Sequence, residues 1–162
     1  MSTGSPPEVT LSAQGLRFAL VATRWNAEIV EQLLEGAQRA FAQRKAESVR
    51  VYRCAGVFEL APLAARVARK GGIDGIVALG CLIRGGTDHY RVLCDEVTRS
   101  LGALAMEGAT SPRPLAVSFG VLTCESEQQA QERADPRGED KGGEAALACI
   151  EQIHALRAAE AE

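Results

Sequence analysis

The chain is expected to fold as an α/β three-layer sandwich: a four-stranded parallel sheet with helices on both faces. Three observations predict it. Short apolar runs alternate along the chain with segments of helical periodicity. The runs are nearly continuous rather than alternating with polar residues, as in strands covered on both faces. Most changeovers are marked by Gly, Pro, Asn or Ser. With 162 residues, 46% hydrophobic and 24% charged, the chain suits one domain with a real core, residues 15–162, behind an arm over 1–14.

The arm is rich in Ser, Pro and Gly up to Glu8, and Val9-Thr10-Leu11 is a candidate extra strand shared with a neighbouring copy. Leu16–Thr23 reads as the first strand. Ala27–Lys45 carries helical spacing through Ile29, Leu33, Ala37 and Phe41, with Asn26 as its expected cap. Val49–Cys54 is the second strand and Leu60–Lys70 the second helix, stopped by Gly71-Gly72. Ile73–Gly80 is the third strand. A long helix from Thr87 follows, with Val92, Leu93, Val97, Leu101 and Leu104 on its apolar face. Pro112 and Pro114 break the chain before the fourth strand, Leu115–Thr123. Ser126 starts a short helix through Arg133, Ala134–Asp140 is a polar loop, and the last helix runs from Gly142 to about Ala159.

Composition narrows the function classes. A net charge of −3 gives no support to a nucleic-acid or anionic-membrane surface, so an anion site has to come from local Arg and Lys. The five cysteines, Cys54, Cys81, Cys94, Cys124 and Cys149, form no C-x-x-C pair and have two histidines for company, so no metal site is expected. Their odd number and the lack of an apolar leader point to reduced thiols in a cytoplasm. No apolar run approaches the roughly 20 residues that span a bilayer.

In parallel sheets flanked by helices, ligands bind beyond the carboxyl ends of the strands. Trp25, Val57–Glu59 and Cys81–His89 all follow strand ends, so three separated segments converge on one rim. The most informative is Gly80–Tyr90, GCLIRGGTDHY. Gly85 and Gly86 allow backbone amides to approach a ligand, Thr87 adds a hydroxyl, and a helix start offers free N–H groups to an anion. His89 in that first turn can move protons near neutral pH, and Arg84 raises the local positive potential. The competing reading is an ordinary turn with a surface histidine.

Other candidates carry the same two-sided reading. Trp25, the single tryptophan, is either a core residue or a stacking platform for a planar heterocycle. Glu59 after Phe58 is a solvated or helix-capping carboxylate unless a ligand claims it. Cys81, Leu82 and Ile83 are strand-end apolar residues, and a thiolate nucleophile at Cys81 has no histidine beside it in sequence. Phe119 suits core packing; Arg133 and Lys141 flank the polar loop as solvated charges.

Taken together, these blocks resemble the lumazine synthase family. Ala55–Leu60 (AGVFEL), Gly80–Tyr90, Phe119–Thr123 (FGVLT), Glu127–Ala130 with Arg133, and Lys141-Gly142 occur in that family's order, from about Phe18 to Ile153. The resemblance implies a flavodoxin-like fold. It also implies condensation of 5-amino-6-(D-ribitylamino)uracil with 3,4-dihydroxy-2-butanone 4-phosphate to 6,7-dimethyl-8-ribityllumazine in riboflavin biosynthesis, with no cofactor or metal. On this reading Trp25 stacks on the pyrimidine, with Asn26 in support. Val57, Phe58 and Glu59 wall the ribityl chain, while Cys81, Leu82 and Ile83 give backbone contacts to the ring. Gly86, Thr87 and Arg133 hold phosphate, with Lys141 nearby, and His89 shuttles protons. Phe119 and Arg133 come from an adjacent subunit, so the sites straddle interfaces of a homopentamer, and the short Arg133–Lys141 loop favours twelve pentamers in a sixty-subunit icosahedral shell. A non-catalytic shell-forming or flavin-binding relative, and a generic nucleotide binder, are the alternatives.

Three positions depart from the family pattern. Arg91-Val92 stands where an acidic residue and a second aromatic are common, and Asp135-Pro136 replaces a glycine-containing turn. Ala61-Pro62 puts the proline one place later than usual after Phe-Glu-Leu.

Overall fold

The computed structural model describes residues 10–161. Its elements follow in the order β1 (Arg17–Thr23), α1 (Ala27–Gln43), β2 (Ser48–Cys54), a 3-10 turn (Val57–Glu59), α2 (Leu60–Lys70), β3 (Gly75–Ile83), α3 (His89–Thr110), β4 (Ala116–Cys124), α4 (Glu127–Ala134) and α5 (Lys141–Glu160). The four strands form one sheet in the order β2-β1-β3-β4, and every neighbouring pair is parallel. This is the expected flavodoxin-like sandwich.

Strand periodicity divides the core into two layers, because successive side chains leave a strand on opposite faces. Phe18, Leu20, Ala22, Val77, Leu79 and Cys81 pack with α1, α4 and α5, where Phe18 stacks on Phe41 at a ring separation of 4.3 Å. Ala19, Val21, Ile76, Ala78, Val117 and Val121 pack with α2 and α3. Both faces of β1 and β3 are thereby buried, which accounts for their unbroken apolar runs.

The lower, amino-terminal end of the sheet is tied by Asp74, which is only 3% exposed. Its carboxylate accepts the Arg17 backbone N–H at 2.8 Å and an Arg157 guanidinium N–H at 2.5 Å, and Arg113 stands at 3.5 Å. The buried charge is therefore paired and hydrogen-bonded, as a buried carboxylate must be. Gly71 ends α2 at φ 73°, a conformation that favours glycine.

The structure corrects several expected boundaries. β3 starts two residues later than expected and runs three residues past Gly80, so Cys81, Leu82 and Ile83 lie inside the strand, paired with Leu122, Thr123 and Cys124. Helix α3 begins at His89 rather than Thr87, which leaves Gly86 and Thr87 outside it. Asn26 stands at the cap position of α1 but does not cap it. Its backbone is left-handed at φ 56°, and its side-chain amide instead donates to the Cys81 carbonyl at 2.9 Å. The tertiary partner has displaced the local one.

Of the arm, Val9 of the expected added strand lies outside the described residues, and Thr10 and Leu11 belong to no strand. Leu11 packs on the α1/α5 layer, and the Ala13 N–H donates to Arg44 O at 2.7 Å.

Helices α1 and α5 approach so closely that Gly142 leaves no room for a methyl group, which would overlap the Leu33 backbone carbonyl. Gly142→Ala is accordingly expected to cost about 2–3 kcal/mol through overpacking against rigid backbone. Thermal unfolding checks this; an unchanged midpoint would contradict the close approach.

Candidate active site

Strand β1 lies inside the sheet, and the chain leaves it toward β2 on one side and returns to β3 on the other. The connections after β1 and β3 therefore part above the sheet and open a crevice, the usual ligand position in such folds. The Asn26–Cys81 hydrogen bond spans its floor from one strand end to the other.

One wall is built after β1 and β2. The Trp25 N–H donates to Ala55 O at 3.1 Å, fixing the backbone, while the indole is 72% exposed. It is not a core residue. Its ring edge and the Glu59 carboxylate both lie against the space a Cβ at Gly56 would enter. Glu59 accepts the Gly56 N–H at 2.9 Å, so it caps the turn and also remains exposed at the rim. Phe58, 58% exposed, stands beside it, whereas Val57 is buried, so only its backbone can face a ligand. Gly80 makes this arrangement possible: a Cβ there would press on Val57, Leu60 and Thr23.

The opposite wall is the loop from Arg84 to Asp88. A side chain added at Gly85 or Gly86 would meet nothing within 4 Å, and neither has positive φ, so nothing within the chain requires glycine at either position. Their smallness clears space on the outside. Thr87, Asp88 and His89 are exposed, and among the described residues His89 has no hydrogen-bond partner. Because α3 starts at His89, the imidazole leaves from the first helical turn, next to the free N–H groups there. Asp88 makes no side-chain cap and stands 3.9 Å from Arg91.

Arg84 is engaged: its Nε donates to Glu125 at 2.7 Å, and its guanidinium lies 4.9 Å from the Tyr90 ring centroid. It thereby links the β3–α3 and β4–α4 connections. Tyr90 closes the Gly80–Tyr90 segment without a role of its own, and Glu125 does not stand out in the sequence; only its nearness in the chain to β4 gives a signal.

Cys81 is 2% exposed, and burial pushes its thiol up to about 12. At neutral pH it stays protonated, which removes it as a nucleophile. Leu82 and Ile83 are half-buried. No group of three or more His, Cys, Asp or Glu side chains able to hold a metal ion occurs among the described residues. None of their helices is long and apolar enough to cross a membrane.

Phe119, Arg133 and Lys141 form a second group. They line one depression at the open edge of β4, with Ser118 and Glu144, and Phe119 is 44% exposed. Arg133 lies in the last turn of α4 and Lys141 begins α5, so a short loop brings the two cations together. Phe119 is paired with Ala78, five residues before the end of β4 at Cys124. At about 3.3 Å per residue that is roughly 16 Å down the edge. Within one chain, then, the expected residues divide into a rim group and an edge group.

The loop joining Arg133 to Lys141 is held from a side the sequence does not advertise. Arg39 on α1 donates to Asp140 at 2.7 Å and to Pro136 O at 2.5 Å. The Asp135 carbonyl accepts the N–H groups of Gly138 at 2.9 Å and Asp140 at 3.0 Å. The Asp135-Pro136 departure thus forms a tight, pinned turn.

Comparison with known proteins agrees with this geometry. The family model for 6,7-dimethyl-8-ribityllumazine synthase matches residues 15–157. Proteins of that name are similar throughout. One from Kineococcus radiotolerans is 46% identical over 97% of this chain and 95% of its own length. One from Anaeromyxobacter dehalogenans is 44% identical over 93% and 91%, and one from Chlorobium phaeobacteroides is 41% identical over 93% and 95%. With the sandwich, the rim crevice and this near full-length similarity in agreement, the chain belongs to the 6,7-dimethyl-8-ribityllumazine synthase family.

Proposed function

We propose that the rim crevice binds 5-amino-6-(D-ribitylamino)uracil and the phosphate ester 3,4-dihydroxy-2-butanone 4-phosphate, and that the protein condenses them to 6,7-dimethyl-8-ribityllumazine. The observation that carries this reading is the pairing of an exposed indole on one wall with an open Gly-Gly-Thr loop and free imidazole on the other. The indole stacks on the planar pyrimidine, and the loop with Arg133 takes the phosphate.

The roles follow from the chemistry. Trp25 and Phe119 enclose the ring; the Cys81–Ile83 backbone aligns it, and Asn26 holds the Cys81 carbonyl in place. Val57, Phe58 and Glu59 hold the ribityl chain, with the Glu59 carboxylate accepting its hydroxyls. Gly86, Thr87, Arg133 and Lys141 neutralise the phosphate, and Arg84 secures the loop by its bond to Glu125. His89 moves protons as the amine adds to the carbonyl and phosphate and water leave. Amine and ketone react readily once aligned, so much of the acceleration is positional.

Phe119 lies roughly 16 Å down the β4 edge from the rim in a single chain, which supports sites completed by an adjoining copy in a homopentamer. We further place these pentamers in a sixty-subunit shell in the cytoplasm. Mass in solution checks the assembly: a pentamer mass without larger species would overturn the shell, and a monomer would overturn the shared site.

Mixing the two substrates with protein should produce lumazine fluorescence faster than the uncatalysed mixture; equal rates would refute the activity. His89→Ala is expected to lower kcat by about 10²-fold, leaving turnover measurable. Arg133→Ala should instead raise KM for the butanone phosphate by about tenfold to a hundredfold, from loss of a charged hydrogen bond. An unchanged KM would remove Arg133 from the phosphate site.

A flavin-binding reading draws on the same exposed indole, whose face can also stack on a fused tricyclic ring. Since Trp25 is the single tryptophan, riboflavin should quench the protein's indole fluorescence saturably; purely linear quenching would exclude it.

A further inference from the structure

One carboxylate oxygen lies between the two cations of the edge group. Glu139 Oε2 is 3.4 Å from Arg133 Nη1 and 3.9 Å from Lys141 Nζ. We infer that Glu139 competes with phosphate for Arg133 and Lys141, an internal counter-ion that sets how tightly this protein holds phosphate. The inference rests on the proposed role of Arg133 and Lys141 as phosphate ligands.

Both Glu139 contacts are longer than the 2.7–2.9 Å of a good charge-assisted hydrogen bond. Lys141 makes a closer one, at 2.8 Å, with Glu144. The Glu139 side chain is about half exposed. It is therefore loosely held and readily displaced. Its backbone, in contrast, is fixed on the following side. The Asp140 N–H donates to Asp135 O at 3.0 Å, and the Asp140 carboxylate accepts from Arg39 at 2.7 Å and from the Gly143 N–H at 3.1 Å. Displacement then needs only rotation of the Glu139 side chain, with no rearrangement of the loop that positions Arg133 and Lys141.

Charge decides the direction of the effect. Two cations, Arg133 and Lys141, face two carboxylates, Glu139 and Glu144, so the cluster is close to neutral. A phosphate monoester carries about −1.5 to −2 at neutral pH and outcompetes a single carboxylate for the same donors. Every phosphate bound must still displace Glu139, which weakens binding of both substrate and released phosphate. Neutralising Glu139 leaves the cations in excess and tightens both.

The test uses inorganic phosphate alone as the probe, with the assembled protein. Phosphate is titrated by its rise in thermal midpoint and by its inhibition of turnover. Glu139→Gln should tighten phosphate binding by about threefold to tenfold, the range expected for releasing two exposed ion pairs. Glu139→Ala should do the same, which separates charge from any contact made by the amide. In an Arg133→Ala background the gain should shrink, because the nearer of the two cations Glu139 competes for is gone and only Lys141 is left. If Arg133→Ala weakens phosphate but neither Glu139 variant tightens it, the competition is refuted and the phosphate grip stands. If Arg133→Ala leaves phosphate binding untouched, both fall together.

Discussion

One side-chain hydrogen bond, from the Asn26 amide to the Cys81 carbonyl, continues the tie between β1 and β3 past the last backbone pair, Ala22 with Leu79, at the rim of the sheet. Parallel sheets separate successive connections at the point where strand order reverses, and the gap left there has exposed backbone that must be satisfied. Here a residue in left-handed conformation closes it. Asparagine tolerates that backbone better than most residues, and its short amide reaches across to β3 instead of back to its own helix. Trp25 precedes it and Leu82 follows the carbonyl, so the bond sets the spacing between the indole and the end of β3.

The rim has little rigid support besides this bond and a few turns. Gly56, Glu59 and Trp25 make a compact unit in which the Gly56 N–H gives the carboxylate its orientation. Glu59 therefore serves the fold and remains available to a hydroxylated ligand, since a carboxylate can accept several hydrogen bonds. On the other wall Arg84 is committed to Glu125 and Tyr90. It steadies the loop between β3 and α3.

Helix α5 is governed by a different constraint. Gly36 and Gly142 let α1 and α5 meet backbone to side chain, and Asp140 fits where a larger residue at 36 would stand. This close approach delivers Lys141 to the β4 edge and, through Arg39, fixes the loop back to Arg133. The placing of Arg133 and Lys141 beside β4 is thus an outcome of helix packing. Phe119 stays exposed on this open strand edge, where backbone groups of β4 have no strand partner among the described residues.

The sequence by itself determined the layer order, the four strands and five of the helical segments, because burial on both sheet faces writes itself as continuous apolar runs and helices as a 3.6-residue period. It also located the rim, since Trp25, Val57–Glu59 and Cys81–His89 lie at or after strand ends, and the blocks of residues there pointed to the family. Only the tertiary structure decided how those residues are employed. Asn26 reads as a cap until the Cys81 carbonyl is seen within reach, and β3 continues past Gly80, which reads as a stop, because its pairing with β4 runs on to Cys124. Arg39 and Glu139 carry no local signal at all. Their importance arises from approach across helices and a turn, and contacts between residues distant in the chain leave no period in sequence to read.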